Sequence, residues 1–140
     1  EEYEVTNVYG EIGSAFANSC VTHPRFCAAM MGTLIKGMGV DHVVWGTDSV
    51  WYGSPQWQIE ALRRLEMPED LQRRFGFAPL GAADGPVKNA IFGANGARLY
   101  GLEPEATRKQ IAVDRIEAMK REYHAKGVGR SNTTWGYVAN

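Results

Sequence analysis

The sequence predicts an α/β protein in which short parallel strands alternate with helices. Two short apolar runs are each followed by a segment with apolar residues at helical spacing, so the order is strand, helix, strand, helix. The connections between these segments are only a few residues long, as in βα units. The chain has 140 residues, of which 44% are hydrophobic and 22% are charged, which is typical of one globular domain. We therefore expect a parallel sheet or barrel.

The first unit covers the segment from Asn7 to about Gly39. The stretch from Asn7 to Ala17 predicts a strand that leads into a loop. The residues Thr22-His23-Pro24 predict a helix start, because a proline at the first helical position loses no needed donor. The apolar stripe expected on this helix consists of Cys27, Met31, Leu34, Ile35 and Met38, and Gly37 and Gly39 are expected to end it.

The second unit begins with the run from Asp41 to Gly46, which predicts a strand buried on both faces. Ser54 is expected to cap the next helix, with Pro55 at its first position. No helix is expected between Gly46 and Ser54. The inner face of the second helix is predicted to consist of Ile59, Leu62 and Leu65.

The remainder of the chain predicts helices and loops. A short helix is expected over 68–75, a loop over 76–86, and a helix over 87–92 that ends at Gly93. Asn95 is expected to cap a helix over 96–100, closed by Gly101. Pro104 is expected to start the longest helix, which reaches about Lys126 and is followed by an aperiodic tail. The inner seam of that helix is predicted as Ala112, Ile116, Met119 and Tyr123.

Composition argues against several classes of function. The net charge is −1 and no basic stripe is present, so we expect no nucleic-acid partner. No apolar run approaches the ~20 residues of a membrane span. Cys20 and Cys27 match no zinc or redox spacing and are expected to be buried, reduced thiols, as in a cytoplasmic protein. The N-terminus resembles no signal peptide and lacks a methionine, so we expect the sequence to begin inside a longer chain.

Asp48 is the principal candidate for a functional residue. It directly follows an apolar strand and Gly46-Thr47, so it is a helix cap, a turn residue or a catalytic group. Residues just past the carboxyl ends of parallel strands line active sites. A carboxylate there can ligate a divalent metal and take a proton from bound water. The aromatic residues Trp51 and Tyr52, together with Trp57, would suit a flat substrate.

Other polar residues are weaker candidates. Glu11 lies near the end of the first strand and could contact a substrate or a neighbouring strand. His23 stands at a helix start, where a capping or surface role is at least as common as ligation. His42 precedes its strand and is therefore expected at the amino-terminal end of the sheet, where residues of such folds serve stability. His124 belongs to the charged face of the last helix and is expected to be solvated.

Three segments together resemble the C-terminal part of metal-dependent amidohydrolases, in the branch with a (β/α)8 barrel that includes related decarboxylases. They are DHVVWGTDSVW (Asp41 to Trp51), GSPQWQIEALRRL (Gly53 to Leu65) and KNAIFGANGARLYGL (Lys88 to Leu102). The first is similar to the strand motif that ends in Gly-Thr-Asp. The last is similar to a closing helix pair with the pattern Ile-x-Gly-x-Asn-x-Ala-Arg-Leu-Tyr.

The resemblance implies a fold and a site. Residues 1–102 would form the last strands and helices of a TIM-type barrel, about two βα units, and residues 103–140 a helical extension and tail. Asp48 would be the metal-ligating aspartate of strand eight that also activates the attacking water, and Trp51 and Tyr52 would contact the substrate. The divalent metal, zinc, would belong to a full-length parent. The sequence departs from the family because it has no His-x-His, and its three histidines do not match the ligand positions.

The implied activity is that of a metal-dependent hydrolase acting on a C–N or C–O bond of a small molecule. The 140-residue chain alone is expected to be inactive and to lack the metal, since one carboxylate cannot hold it. One alternative is non-oxidative decarboxylation of an aromatic or unsaturated acid. The other is a non-catalytic, stand-alone association module that uses the last helix. In either case, uncovered strand edges and helix faces predict a homo-oligomer.

Overall fold

The computed structural model describes residues 6–111 and 114–127. Within them the chain is mostly helical, with one parallel pair of strands, β1 (Gly10–Glu11) and β2 (Val43–Val44), paired in the register Gly10 to Val43 and Glu11 to Val44. One parallel strand pair set among helices is compatible with the α/β class. The helices are α1 (Gly13–Ser19), α2 (Pro24–Met38), α3 (Ser49–Tyr52), α4 (Pro55–Arg64), α5 (Glu69–Phe75), α6 (Pro86–Asn89), α7 (Asn95–Leu99), α8 (Pro104–Ile111) and α9 (Arg115–Ala125).

The first unit contains a helix that the sequence did not predict. The strand is limited to two residues, and α1 begins at Gly13 where we expected a loop. The Glu11 carboxylate accepts a hydrogen bond from the backbone N–H of Gly13 at 2.8 Å, which satisfies one of the free donors of the first turn. Phe16 is fully buried and anchors the helix in the core. The loop prediction for this segment was wrong because the burial of Phe16 outweighs the small, loop-like neighbours.

The expected helix after Pro24 is confirmed as α2. Cys27 and Met31 on its apolar stripe are fully buried. The helix ends at Gly39, whose φ of 86° favours glycine and whose N–H bonds to Ile35 O at 2.9 Å. Cys20 and Cys27 are free and buried as predicted, and burial raises the pKa of the Cys27 thiol to about 11.

The second unit differs from the prediction on either side of β2. A 3₁₀ turn, Val40–His42, occupies the first two residues of the expected strand, and β2 covers only Val43–Val44. The short helix α3 begins immediately after Asp48, where no helix was expected. The next helix, α4, is confirmed, because Pro55 is its first residue and Ser54 Oγ accepts from Gln56 N at 3.2 Å. Leu62 and Leu65 are buried, although Leu65 stands just past the helix end.

The segment from Pro86 to Leu99 is one continuous helical run. A π-helical stretch, Ala90–Ala94, joins α6 to α7, so Gly93 does not end a helix. Asn95 does not act as a cap either, because its side chain makes no capping bond. It is 1% exposed, and its Nδ2 donates to both Val40 O and Val43 O at 2.8 Å. The capping prediction was wrong because this side chain bonds across the fold instead of within its own helix, and the Gly93 prediction was wrong because the helical backbone continues through the π-helical stretch.

The long helix expected from Pro104 is divided into α8 and α9. Asp114 caps α9 by accepting a hydrogen bond from Glu117 N at 2.8 Å. Ile116, Met119 and Tyr123 of the expected inner seam are exposed, so the prediction that this seam faces inward was wrong; Ala112 lies outside the described residues, as does the tail from 128 onward. Their spacing places three apolar residues on one face, but no described element packs on that face tightly enough to bury it.

The hydrophobic core lies under the two strands and extends to the loop before α6. Its buried residues are Ile12, Phe16, Cys20, Cys27, Ala28, Met31, Val43, Ala61, Leu62, Leu65, Met67, Leu71, Phe77, Leu80 and Ile91. The core therefore extends from Ile12 to Ile91, and α8 and α9 contribute no buried residue to it. No helix among the described residues is long and apolar enough to cross a membrane.

Candidate functional site

The candidate site lies at the carboxyl ends of the two parallel strands. Glu11 is the last residue of β1, and Asp48 follows β2 after the segment Trp45-Gly46-Thr47. Because parallel strands end at the same edge of a sheet, both carboxylates are placed on one side of the fold. A Cβ added to Gly13 would lie 2.9 Å from Glu11 Oε1 and 3.1 Å from Asp48 Cγ, so the two carboxyl groups flank one backbone position.

Asp48 occupies the N-cap position of α3, but its carboxylate does not cap that helix. It instead accepts a hydrogen bond at 2.5 Å from Ser14 Oγ, in the first turn of α1. The backbone of Asp48 is left-handed, with φ 44° and ψ 34°, a conformation uncommon for residues other than glycine. Of the three interpretations considered for Asp48, the capping one is excluded by this contact.

Glu11 is held against the segment that connects β2 to Asp48. A Cβ at Gly46 would lie 1.4 Å from Glu11 Oε1, which means that the carboxylate fills the space a side chain there would need. The same oxygen accepts the N–H of Gly13 at 2.8 Å. Glycines at positions 13 and 46 therefore allow two acidic side chains to approach the strand ends closely.

The loop before Asp48 is fixed by two hydrogen bonds to Thr47. Gln58, which is 2% exposed, donates from Nε2 to Thr47 O at 2.7 Å. Thr47 Oγ1 accepts from Ser49 N at 3.2 Å. Gln58 Oε1 is buried and has no hydrogen-bond partner among the described residues. The loop is thus tied to α4 on one side, and Asp48 is tied to α1 on the other.

The aromatic residues around Asp48 divide into two groups. Trp45 packs in the interior, with ring centroids 5.8 Å from Phe16 and 4.8 Å from Phe92. Trp51 and Tyr52 lie in α3, and the side chain of Trp51 is 79% exposed. The rings of Trp51 and Tyr52 are therefore available to a ligand beside Asp48, whereas Trp45 serves packing.

The histidines are placed away from the carboxylates. His42 bonds through Nε2 to Thr6 O at 3.1 Å and through Nδ1 to Asp41 Oδ1 at 3.2 Å, at the amino end of β2. His23 Nδ1 contacts Thr22 Oγ1 at 2.9 Å, at the start of α2. His124 is exposed on α9, as expected. Within residues 6–111 and 114–127, no group of three or more His, Cys, Asp or Glu side chains could hold a metal ion.

Two clefts lie elsewhere, on either side of the start of α2. One, of about 260 Å³, is lined by residues including Arg25, Arg64 and Leu65. The other, of about 380 Å³, is lined by residues including Phe26 and Leu71. Neither of these two clefts is lined by Asp48.

Sequence reasoning identified Asp48 and considered Glu11, but it missed Ser14 and Gln58. The signal for Ser14 was the run Ile12-Gly13-Ser14, which follows the first strand just as Gly46-Thr47-Asp48 follows the second. Gln58 carried no such signal, because a glutamine within a predicted helix is ordinarily a surface residue. Only its burial against Thr47 identifies it.

The chain was compared with protein-family models, with curated proteins and with solved structures, and none of them matched.

Proposed function

We propose that this chain is the C-terminal part of a (β/α)8 barrel and that Asp48 is a catalytic carboxylate of a metal-dependent hydrolase of the amidohydrolase type. The observation that carries the proposal is the position of Asp48, directly past the carboxyl end of a parallel strand and hydrogen-bonded to Ser14, which follows the neighbouring strand. Active sites of parallel α/β folds lie at this edge. The segment from Asp41 to Trp51 also resembles the strand-eight motif of that family, and this resemblance indicates Asp48 as well.

The described residues do not complete a zinc site. Such sites take three or more protein ligands, mostly nitrogen and sulfur donors, and here only carboxylates meet at the strand ends. Under the proposal, the missing ligands come from strands outside this chain. Asp48 would then help to hold the metal, and it would accept the proton of the water that attacks the carbon atom of a C–N or C–O bond. The chain alone is expected to be inactive.

A second chemistry is favoured by the exposed aromatic side chains. Trp51 and Tyr52 directly follow Asp48 and present ring surface suited to a flat substrate. Non-oxidative decarboxylation of an aromatic acid is therefore the alternative on the same scaffold. Both proposals concern a small-molecule substrate, and the two buried, reduced thiols accord with a cytoplasmic protein.

A non-catalytic association module is the alternative from a different class. Its supporting observation is the apolar face of α9, on which Ile116 and Met119 are more than half exposed. Sedimentation velocity of the wild type beside Met119→Gln tests it. A dimer that dissociates in the variant supports association through α9, whereas identical monomers exclude it.

The test of the hydrolase proposal is elemental analysis of the native polypeptide that carries this sequence. Near-stoichiometric zinc in the wild type, lost in Asp48→Asn and kept in Asp70→Asn, is the expected result. Asp70 is a matched control because it is an exposed aspartate paired with Arg25 on α2. Metal contents that do not differ between the wild type and Asp48→Asn would refute the role of Asp48.

Turnover then distinguishes the two chemistries. A panel of esters, lactones and amides is assayed by titration of released acid at constant pH, and a panel of aromatic carboxylic acids is assayed for released carbon dioxide. Hydrolysis without carbon dioxide supports the first proposal. Carbon dioxide release that depends on Asp48 supports the second.

A further inference from the structure

We infer that Ser14 is a positioning residue that sets the orientation of the Asp48 carboxylate, an inference that rests on the proposed catalytic role of Asp48. The inference rests on the hydrogen bond that Ser14 Oγ donates to Asp48 Oδ2 at 2.5 Å, which joins two residues 34 positions apart. It connects the unit that follows β1 to the unit that follows β2.

The backbone of Asp48 is held by contacts other than the bond from Ser14. Asp48 is the only non-glycine residue with a positive φ among the described residues. Such a conformation persists only where the surroundings determine it. The bonds from Gln58 to Thr47 O and from Ser49 to Thr47 Oγ1 hold the backbone on the amino side of Asp48. Neither bond reaches the Asp48 carboxylate, whose direction is set by the bond from Ser14.

Ser14 is in turn placed by the sharp turn from β1 into α1. The Glu11 carboxylate accepts the Gly13 N–H, and this contact starts the helix within two residues of the strand. Glycine at position 13 leaves 3.1 Å between its Cβ position and Asp48 Cγ. A larger residue would press on the carboxylate, so the sequence Glu-Ile-Gly-Ser brings the Ser14 hydroxyl to Asp48.

The chemical consequence is that the two carboxylate oxygens have different roles. A hydroxyl donor on Oδ2 fixes the plane of the carboxylate and leaves Oδ1 to face the reacting water. Partners that orient a catalytic or ligating carboxylate typically change activity or metal affinity about 10- to 100-fold when they are removed. Because Ser14 does not contact the reacting atoms in this scheme, its loss is expected to act on kcat more than on KM.

The experiment compares Ser14→Ala, Ser14→Thr and Thr33→Ala in the native polypeptide. Thr33 is the control, because it is an exposed helical residue whose hydroxyl bonds only to Ala29 O, at 2.9 Å. Ser14→Ala is expected to lower kcat about 10-fold or more with a nearly unchanged KM. Ser14→Thr keeps the hydroxyl and is expected to restore kcat, and Thr33→Ala is expected to match the wild type.

A second measurement does not depend on activity. Urea unfolding of wild type, Ser14→Ala, Asp48→Ala and the double variant forms a double-mutant cycle, and the hydrogen bond predicts that the two substitutions are coupled about threefold or more in the unfolding equilibrium constant. Additive effects would overturn the inference. Full activity of Ser14→Ala beside an inactive Asp48→Asn would overturn it while the proposed function stands. Full activity of Asp48→Asn would overturn both.

Discussion

At the scale of single residues, the candidate site depends on two glycines that bring acidic side chains close to the strand ends. Gly46 was interpreted from the sequence as the end of an apolar run, which is correct but incomplete. The Glu11 carboxylate occupies the position that any Cβ at residue 46 would need. The absence of a side chain at Gly46 therefore determines where Glu11 lies and how it can bond to Gly13.

Gly46→Ala is the residue-scale prediction. Its Cβ would lie 1.4 Å from Glu11 Oε1 and 2.4 Å from Glu11 Cδ, so the Glu11 side chain must swing away and lose its bond to Gly13 N. We expect the free energy of unfolding to fall by about 1–2 kcal/mol. Urea unfolding monitored by tryptophan fluorescence measures this change.

The control for Gly46→Ala is Gly37→Ala. A Cβ at Gly37 meets nothing within 4 Å, and Gly37 lies inside α2, so alanine there should raise the free energy of unfolding by about 0.5–1 kcal/mol. A Gly46→Ala protein as stable as the wild type, with Glu11 unmoved in its structure, would contradict the prediction.

At the scale of elements, buried polar side chains connect helices to backbone carbonyls far away in sequence. Asn95 in α7 donates to Val40 O and Val43 O beside β2. Lys88 in α6 is 1% exposed and donates from Nζ to Arg63 O at 2.9 Å, near the end of α4. These bonds satisfy carbonyls that a short strand and a helix terminus leave free. They also hold the π-helical segment between Lys88 and Asn95 against the core.

Lys88 is expected to make stability depend on pH. Burial lowers the pKa of Lys88, against a smaller opposing effect of Glu66. Between that lowered pKa and the value of about 10.4 in the unfolded chain, the unfolded state binds more protons, so stability rises with pH. We therefore expect the free energy of unfolding of wild type, relative to Lys88→Met, to increase from pH 7 to pH 10. Urea unfolding at pH 7, 8.5 and 10 tests this.

Lys36→Met is the matched control for Lys88→Met. Lys36 also donates from Nζ to a backbone carbonyl near a helix end, Phe75 O at 2.7 Å, but it is exposed. Lys36→Met, measured at the same three pH values, therefore controls for the loss of a lysine side chain bonded to a carbonyl at the surface. A constant difference between wild type and Lys88→Met over this range would contradict a buried, destabilised ammonium group.

At the scale of the whole molecule, the core and the last two helices are distinct. Every buried hydrophobic side chain among the described residues lies between Ile12 and Ile91. Neither α8 nor α9 has a buried residue, and the apolar residues of α9 are exposed. Stability of the fold is therefore expected to reside in the first part of the chain.

Substitutions in the two parts should differ accordingly. Met119→Gln on α9 is expected to change the free energy of unfolding by no more than about 0.5 kcal/mol, because the side chain is 53% exposed. Leu62→Ala is expected to lower it by about 2–5 kcal/mol, because Leu62 is fully buried and alanine leaves a cavity. Urea unfolding compares the two. Equal losses would mean that α9 packs into the same cooperative unit as the core.

The sequence by itself determined the features that depend on local patterns. The helices α2, α4 and α5, the Ser54 cap and the burial of both cysteines follow from apolar spacing, proline positions and capping residues, all of which act within a few residues. The position of Asp48 past a strand follows in the same way, from an apolar run that is bounded by Gly46.

Only the tertiary structure decided the features that depend on contacts between distant segments. The partner of Asp48 is 34 residues away, and that of Asn95 more than 50, so no local pattern encodes either bond. The errors at α1, at α3 and in the seam of α9 have a related cause. At each of them, local preference is outweighed by what distant parts of the chain bury or leave exposed. A carboxylate that could cap the adjacent helix bonds instead to the hydroxyl that the fold brings to it.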